Sequence, residues 1–366
     1  MKVGILTMNY AQNYGGILQT YAMSQFLKEL GHDVQIINYR NSGKNSFISV
    51  IAKVCARFHK KGNSTTTPPR HSLSKKYLQN FIDFKDRKLT YTRSVDEYSI
   101  VDCCKNLDAI IIGSDQIWND VYTNKLIYYF DWMFSGKRIS YAACTILQDA
   151  PFFRRKKIAK LLASFDTITV RDRHTGNYVK SMTGLTPMQV VDPSCLHDYH
   201  ALISDNPIGK PYILTYILSG DIQGGNKSAM ETIKQNIGNL TVVGVCIPSV
   251  STISKEISDI FMEEATPAEW VNLFYHASFV YTDSFHGIMF SMKFHKPFIA
   301  YMKEGGRKSR LQDLIETYSL ANIVSNVEQI RNLSFSNLIN YQQVDSILER
   351  NVRASKIILQ QAISLD

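Results

Sequence analysis

One stretch constrains the fold more than any other. A short apolar run, Phe279 to Thr282, meets Asp283-Ser284-Phe285-His286-Gly287 and then an apolar helical run that reaches Phe294. Asp283 or Ser284 can cap that helix, because a short side-chain oxygen accepts from the orphan amides of its first turn. A helix N-terminus at the carboxyl end of a strand is where an open α/β sheet offers amides and partial positive charge to an anion. His286 sits in the turn, and Gly287 would let a ligand approach the backbone closely. The stretch predicts a parallel α/β sheet with a small-anion site and one histidine beside it.

At 366 residues the chain exceeds one ordinary core, and its 45% hydrophobic content is that of a folded protein. No apolar run approaches the roughly 20 residues of a membrane span. The first residues enter a strand at once, so no signal peptide is expected and a cytoplasmic protein is. Six cysteines (55, 103, 104, 144, 195, 246) show no C-x-x-C and no histidines at zinc spacing, so neither disulfides nor a metal is expected. His59, His71, His174 and His276 have no ligating spacing either. The net charge of +9 is local. Between Lys53 and Arg93 lie eleven basic and two acidic residues, and the remaining thirty of each sign balance. That argues against a nucleic-acid partner, which would call for a broadly basic surface.

Along the chain, Lys2 to Met8 reads as a buried strand. A helix carrying Leu18, Tyr21, Ala22 and Phe26 follows and stops at Gly31, and Val34 to Tyr39 is a second strand. This βαβ unit lacks G-x-G-x-x-G, which argues against NAD or FAD. Asn13-Tyr14-Gly15-Gly16 makes either a tight turn and cap or a backbone cradle facing a cleft. The basic insertion, residues 48–93, joins a cationic amphipathic piece (Ile51, Val54, Phe58) to an aromatic one (Tyr77, Phe81, Phe84) across a Pro-Pro loop. It is either a solvated loop beside core aromatics or a surface resting on anionic membrane at its inner face.

The run Ala109 to Ile112 opens into Gly113-Ser114-Asp115-Gln116, another strand carboxyl end. Asp115 either caps the next helix or acts as a general base. Arg171, directly after an apolar run, either forks onto a carboxylate or phosphate or pairs with a nearby acid. We expect a Rossmann-like first domain over residues 1–200, a second over 210–335, and a helical tail over 336–366 across the junction. Met302 to Arg310 is a cationic segment at the same sheet edge as His286.

Taken in order, Asn13-Tyr14-Gly15-Gly16, Gly113-Ser114-Asp115-Gln116-Ile117-Trp118-Asn119, Ile168-Thr169-Val170-Arg171-Asp172, Val191-Asp192-Pro193 and Thr282-Asp283-Ser284-Phe285-His286-Gly287 resemble the polysaccharide pyruvyl transferase family. The resemblance implies two Rossmann-like domains of the GT-B glycosyltransferase type and no cofactor. It implies phosphoenolpyruvate as donor to the second domain. The acceptor would be a sugar hydroxyl pair on a bacterial surface polysaccharide or its lipid-linked precursor, bound to the first. The product is a pyruvate ketal. By position, His286 resembles the family's donor-site histidine and Arg171 an arginine that faces the donor; His286 and Asp115 are the catalytic candidates. Arg171, Ser284, Phe285, Gly287, Asn13, Tyr14, Gly15 and Gln116 are the substrate-binding ones. Many relatives carry Arg-Leu-His-Gly where this chain has Ser284-Phe285-His286-Gly287, so the cation must come from Lys303, Arg307, Lys308 or Arg310. A nucleotide-sugar glycosyltransferase and a non-catalytic glycan- or membrane-binding protein are the competing readings.

Overall fold

The structure is a computed structural model that describes residues 1–8, 12–42, 73–121, 125–248, 250–303 and 308–364, the side chains of 308–310 excepted. Twelve strands among them form two six-stranded sheets. The first holds β1 (Lys2–Leu6), β2 (Asp33–Ile36), β3 (Ala109–Ile112), β4 (Lys137–Ala143), β5 (Thr167–Val170) and β6 (Met188–Gln189), in spatial order β2-β1-β3-β4-β5-β6. The second holds β7 (Tyr212–Tyr216), β8 (Thr241–Val245), β9 (Ile260–Met262), β10 (Phe279–Thr282), β11 (Phe298–Tyr301) and β12 (Ile323–Val324), in order β12-β11-β10-β7-β8-β9. All these strand pairings are parallel. The chain reverses its direction of travel across the sheet between β1 and β3, and again between β7 and β10. Ligands of open parallel sheets bind outside the carboxyl ends of strands at such points.

Parallel strands need crossovers, and helices supply them. Among the described residues nine are nine residues or longer: α1 (Tyr14–Glu29), α2 (Lys75–Lys88), α3 (Phe152–Leu162), α4 (Arg173–Thr183), α5 (Asn226–Ile237), α6 (Pro267–His276), α7 (Phe285–Lys293), α8 (Lys308–Tyr318) and α9 (Tyr341–Ser364). Strands covered on both faces read as unbroken apolar runs, and the buried Ala-Ile-Ile-Ile of β3 is one.

One apolar core runs between the two sheets, joining Val3, Ile5 and Ile111 of the first to Leu214, Val243 and Val280 of the second. Separate cores fill the outer faces of each sheet. Tyr14 is the rivet of the shared core. Its ring stacks on Trp270 at 5.7 Å between centroids and 14° between planes, and its hydroxyl donates to the Ala265 carbonyl at 2.7 Å. Tyr77, Phe81 and Phe84 of α2 are buried in the same core. The cationic piece at residues 51–61 lies outside the described residues.

Helix α9 straps both halves together. Lys137 at the start of β4 donates its Nζ to the Ile363 carbonyl at 3.0 Å, and Val191 N donates to Ser355 Oγ at 3.0 Å. At the other end, Tyr341 donates its hydroxyl to the Lys296 carbonyl at 2.6 Å and His295 meets Asp345 at 2.9 Å. No helix among the described residues is long and apolar enough to cross a membrane.

Candidate active site

The turn after β10 is held by its own short side chains. Thr282 Oγ1 donates to the Tyr216 carbonyl at 2.5 Å and accepts from Ser284 N at 3.1 Å, which ties the carboxyl ends of β10 and β7 together. Asp283 accepts from the amides of Leu218 and Ser219, each at 2.6 Å, so it latches the loop after β7 and does not cap α7. Ser284 is the cap, its Oγ accepting from Gly287 N at 3.3 Å. The second residue of α7 is then His286, which is 6% exposed.

Two glycines fix where that imidazole lies. A Cβ on Gly15 would fall 2.1 Å from His286 Nδ1, so the ring rests directly on the backbone of the first turn of α1. The two sheets thus meet at their reversal points, one contributing the glycine and the other the histidine. A Cβ on Gly287 would fall 2.4 Å from Thr282 Oγ1. Gly287 thus allows close helix-on-strand packing.

Behind His286 stands a buried chain of charges. Asp192 Oδ2 lies 3.8 Å from His286 Nε2 and accepts from Arg171 Nη1 at 2.7 Å and from Ser114 Oγ at 3.3 Å. Its other oxygen accepts from Ser194 N at 3.0 Å. Arg171 Nη2 donates to Asp115 Oδ1 at 3.1 Å and to Cys144 Sγ at 3.0 Å, and the guanidinium lies 4.3 Å over the Phe285 ring. Burial alone would raise the Asp192 carboxyl. His286, then Arg171 and the Ser194 amide, more than offset it and hold the group below its ordinary value. Burial opposes charge on Arg171 as well, and Cys144, Asp115, Asp192 and Asp172 together hold it above the usual guanidinium range.

A cavity of ≈ 100 Å³ opens beside this chain, lined by Asn13, Asp115, Gln116, Ser284, Phe285 and His286 among others. Among the described residues that line it, His286 is the basic side chain. Among the described residues no group of three His, Cys, Asp or Glu side chains is arranged to hold a metal.

The polysaccharide pyruvyl transferase family model matches residues 13–302, which span every residue of this cluster. The chain belongs to that family. No curated protein sequence matches it. Among solved structures, Arabidopsis thaliana UGT89C1 complexed with UDP-L-rhamnose is similar with a TM-score of 0.54 at 11% identity, over 99% of this chain and 98% of that one. UDP-GlcNAc 2-epimerase from Neisseria meningitidis bound to UDP-GlcNAc is similar with a TM-score of 0.50 at 12% identity, over 100% of both chains. At such identities these two share the GT-B fold with this family member and nothing more specific.

For a pyruvyl transferase the residues sort clearly. His286, Asp115, Ser284, Phe285, Gln116 and Asn13 come together at one cavity, with Gly15 packed against the imidazole. Tyr14 does not: it is wholly buried in the shared core, because the first residue of α1 turns its ring away from the cleft. Arg171 stands behind the cavity: its side chain is 2% exposed and its two terminal nitrogens meet Asp115 and Asp192. Lys303 is exposed, and its Nζ lies 2.4 Å from where a Cβ on Gly220 would be, beside the loop that Asp283 latches. Arg307 and the side chains of Lys308 and Arg310 lie outside the described residues. Asp192 was missing from the expected set. Its Asp-Pro pair is visible in sequence, but nothing local reveals that its carboxylate faces a histidine in the other half.

Proposed function

We propose that the protein transfers the pyruvyl group of phosphoenolpyruvate to two hydroxyls of a sugar, with His286 as the acid. The observation that carries this reading is the His286 imidazole, at a helix N-terminus, backed by the Asp192–Arg171 pair and open to a cavity beside Asp115. The donor carries a phosphate and a carboxylate, which suit helix-terminal amides, an imidazolium and Lys303. Protonating its methylene carbon gives cationic character at C2, where a sugar hydroxyl adds. Phosphate departs, and the second hydroxyl closes the ketal. Two C–O bonds form and the C–O bond to phosphate breaks. Of the two hydroxyl protons, one replaces the proton given to the new methyl group and the other leaves with phosphate.

The buried Asp192 carboxylate lies 3.8 Å from the imidazole that gives the first proton, and Asp115, held by Arg171, takes a hydroxyl proton. General acid catalysis of this kind contributes about 10²–10⁴-fold. Glycan-dependent phosphate release from phosphoenolpyruvate, with mass spectrometry for the added pyruvate, tests the reading. His286→Ala should lose about two orders of magnitude or more in turnover. Full turnover by that variant would sink it.

A further inference from the structure

Helix α3 carries an outward face with an apolar tip. Its Arg154, Ile158 and Leu162 are buried, and the last two belong to the core on the outer face of the first sheet. The opposite arc holds Phe152, Phe153, Lys156, Lys157 and Lys160, all exposed. Among the described residues no large apolar side chain is more exposed than Phe152, at 89%. Phe153 beside it is 48% exposed, and the two rings meet edge to face at 5.5 Å. A single exposed apolar side chain is ordinary, but two adjacent phenylalanines in the first turn of a cationic helix mark a contact surface.

The charges say what kind of surface it meets. Between Pro151 and Phe165 lie five basic residues and no acidic one. Arg155 pairs with Asp149, and Lys157 with Asp131 at 2.6 Å. Lys156 and Lys160 pair with no acid among the described residues. They follow Phe152 by four and eight residues, so they share its stripe about 6 and 12 Å farther along the axis. With the rings at an acyl boundary, Lys156 falls inside a headgroup layer roughly 5–8 Å deep and Lys160 at its outer rim. A protein partner fits less well. Lysine is depleted where proteins dock, and a stable interface takes roughly 800 Å² from each side, far more than one three-turn helix face of about 16 Å by 10 Å. Single-stranded nucleic acid lies in a groove on flat aromatic platforms, whereas this face projects and its rings stand edge to face.

We propose that α3 docks on an anionic lipid surface, with Phe152 and Phe153 entering the acyl boundary and Lys156 and Lys160 meeting the headgroups. Phe152 follows the loop after β4. In that loop Thr145 Oγ1 donates to Asn119 Oδ1 at 2.8 Å, and the Cys144 carbonyl accepts from Trp118 N at 3.3 Å. The loop therefore rests on the segment that begins with Asp115. Docking by this tip turns the carboxyl edge of the first sheet, and with it the Asp115 side of the cavity, toward the lipid. The contact is independent of the reaction the cavity supports.

Co-sedimentation of the full chain with lipid vesicles tests it. Phosphatidylcholine alone should leave the protein in solution. Equal parts of phosphatidylcholine and phosphatidylglycerol should bring it down, less so at high salt. The double variant Phe152→Ser, Phe153→Ser should bind about tenfold or more weakly, because both rings leave the acyl boundary. Lys156→Gln with Lys160→Gln should lose about tenfold or more as well, since each charge near an anionic surface is worth roughly fivefold. All four positions are exposed, so both double variants should fold, which circular dichroism checks. Phe152→Trp should be quenched by brominated lipid, which the buried Trp118, Trp132 and Trp270 do not reach. Wild-type protein that ignores the anionic vesicles, binding that survives either double substitution in folded protein, or an unquenched Phe152→Trp overturns the proposal. Capture of a poly-uridine oligonucleotide in place of vesicles, lost in the same variants, would assign the face to nucleic acid and overturn it too.

Discussion

Asp192 holds a wholly buried carboxylate against the guanidinium of Arg171 and the imidazole of His286. Because His286 and Arg171 outweigh burial, its carboxyl titrates below the ordinary range when folded. A folded value lower than the unfolded one means the carboxylate adds stability above about pH 4, lost as the pH falls through the lowered value. Asp192→Asn cannot titrate, and it leaves a buried guanidinium short of one charge. We expect it to cost about 3 kcal/mol at neutral pH, with a difference from wild type that shrinks on acidification below about pH 4. Urea denaturation across pH reads this, and a pH-independent gap would refute it. Turnover should drop about 100-fold or more, with the donor KM changed far less. This carboxylate was legible only as an Asp-Pro pair. Arg171 is 21 residues away and His286 comes from the other sheet, so no local pattern records the meeting.

At the scale of the element, α1 brings its N-terminus to the imidazole. Asn13 caps it, with Oδ1 accepting from Gly16 N at 3.3 Å. Two adjacent glycines in its first turn do different work. A Cβ on Gly15 would meet the His286 ring at 2.1 Å, whereas one on Gly16 meets nothing nearer than Asn13 Cβ at 3.8 Å. Gly15→Ala should therefore displace the ring and cut turnover by about 10²-fold or more. Gly16→Ala should leave turnover intact and stabilise the protein by roughly 0.5–1 kcal/mol through helix propensity. Steady-state rates with thermal melts separate the two, and equal activity in both variants would show that the ring tolerates the intrusion. The central strands were legible because burial on both faces leaves apolar runs such as Ala109 to Ile112. The edge strands β6, β9 and β12 were not, since pieces of two or three residues are strands only by virtue of a neighbour. Tyr14 misled for a related reason. Most of α1 is buried on all sides, so no polar stripe marks which way its first ring points.

Across the whole molecule, two of the joints between the sheets differ physically. One is apolar: the core through Tyr14, Tyr77 and Trp270, which salt does not screen. The other is polar: Arg173 of α4 reaches Asp313 at 2.5 Å and also Glu316, both on α8, while Gln189 Nε2 donates to Asp313 at 2.8 Å. The Arg173 side chain is 55% exposed, so its ion pairs contribute about 0–1 kcal/mol and weaken with salt. Any opening between the halves should therefore start at the clasp and pivot on the aromatic side. Trp270→Ala should cost about 3–5 kcal/mol and lower a single melting transition for both halves, because its ring belongs to one continuous core. Asp313→Ala should change that transition by no more than about 1 kcal/mol, yet speed amide exchange in α8 and in the first turn of α4. High salt should reproduce the second effect in the wild type and leave the first untouched. Two resolved transitions in Trp270→Ala, or unchanged exchange in Asp313→Ala, would mean that rivet and clasp do not divide the work in this way.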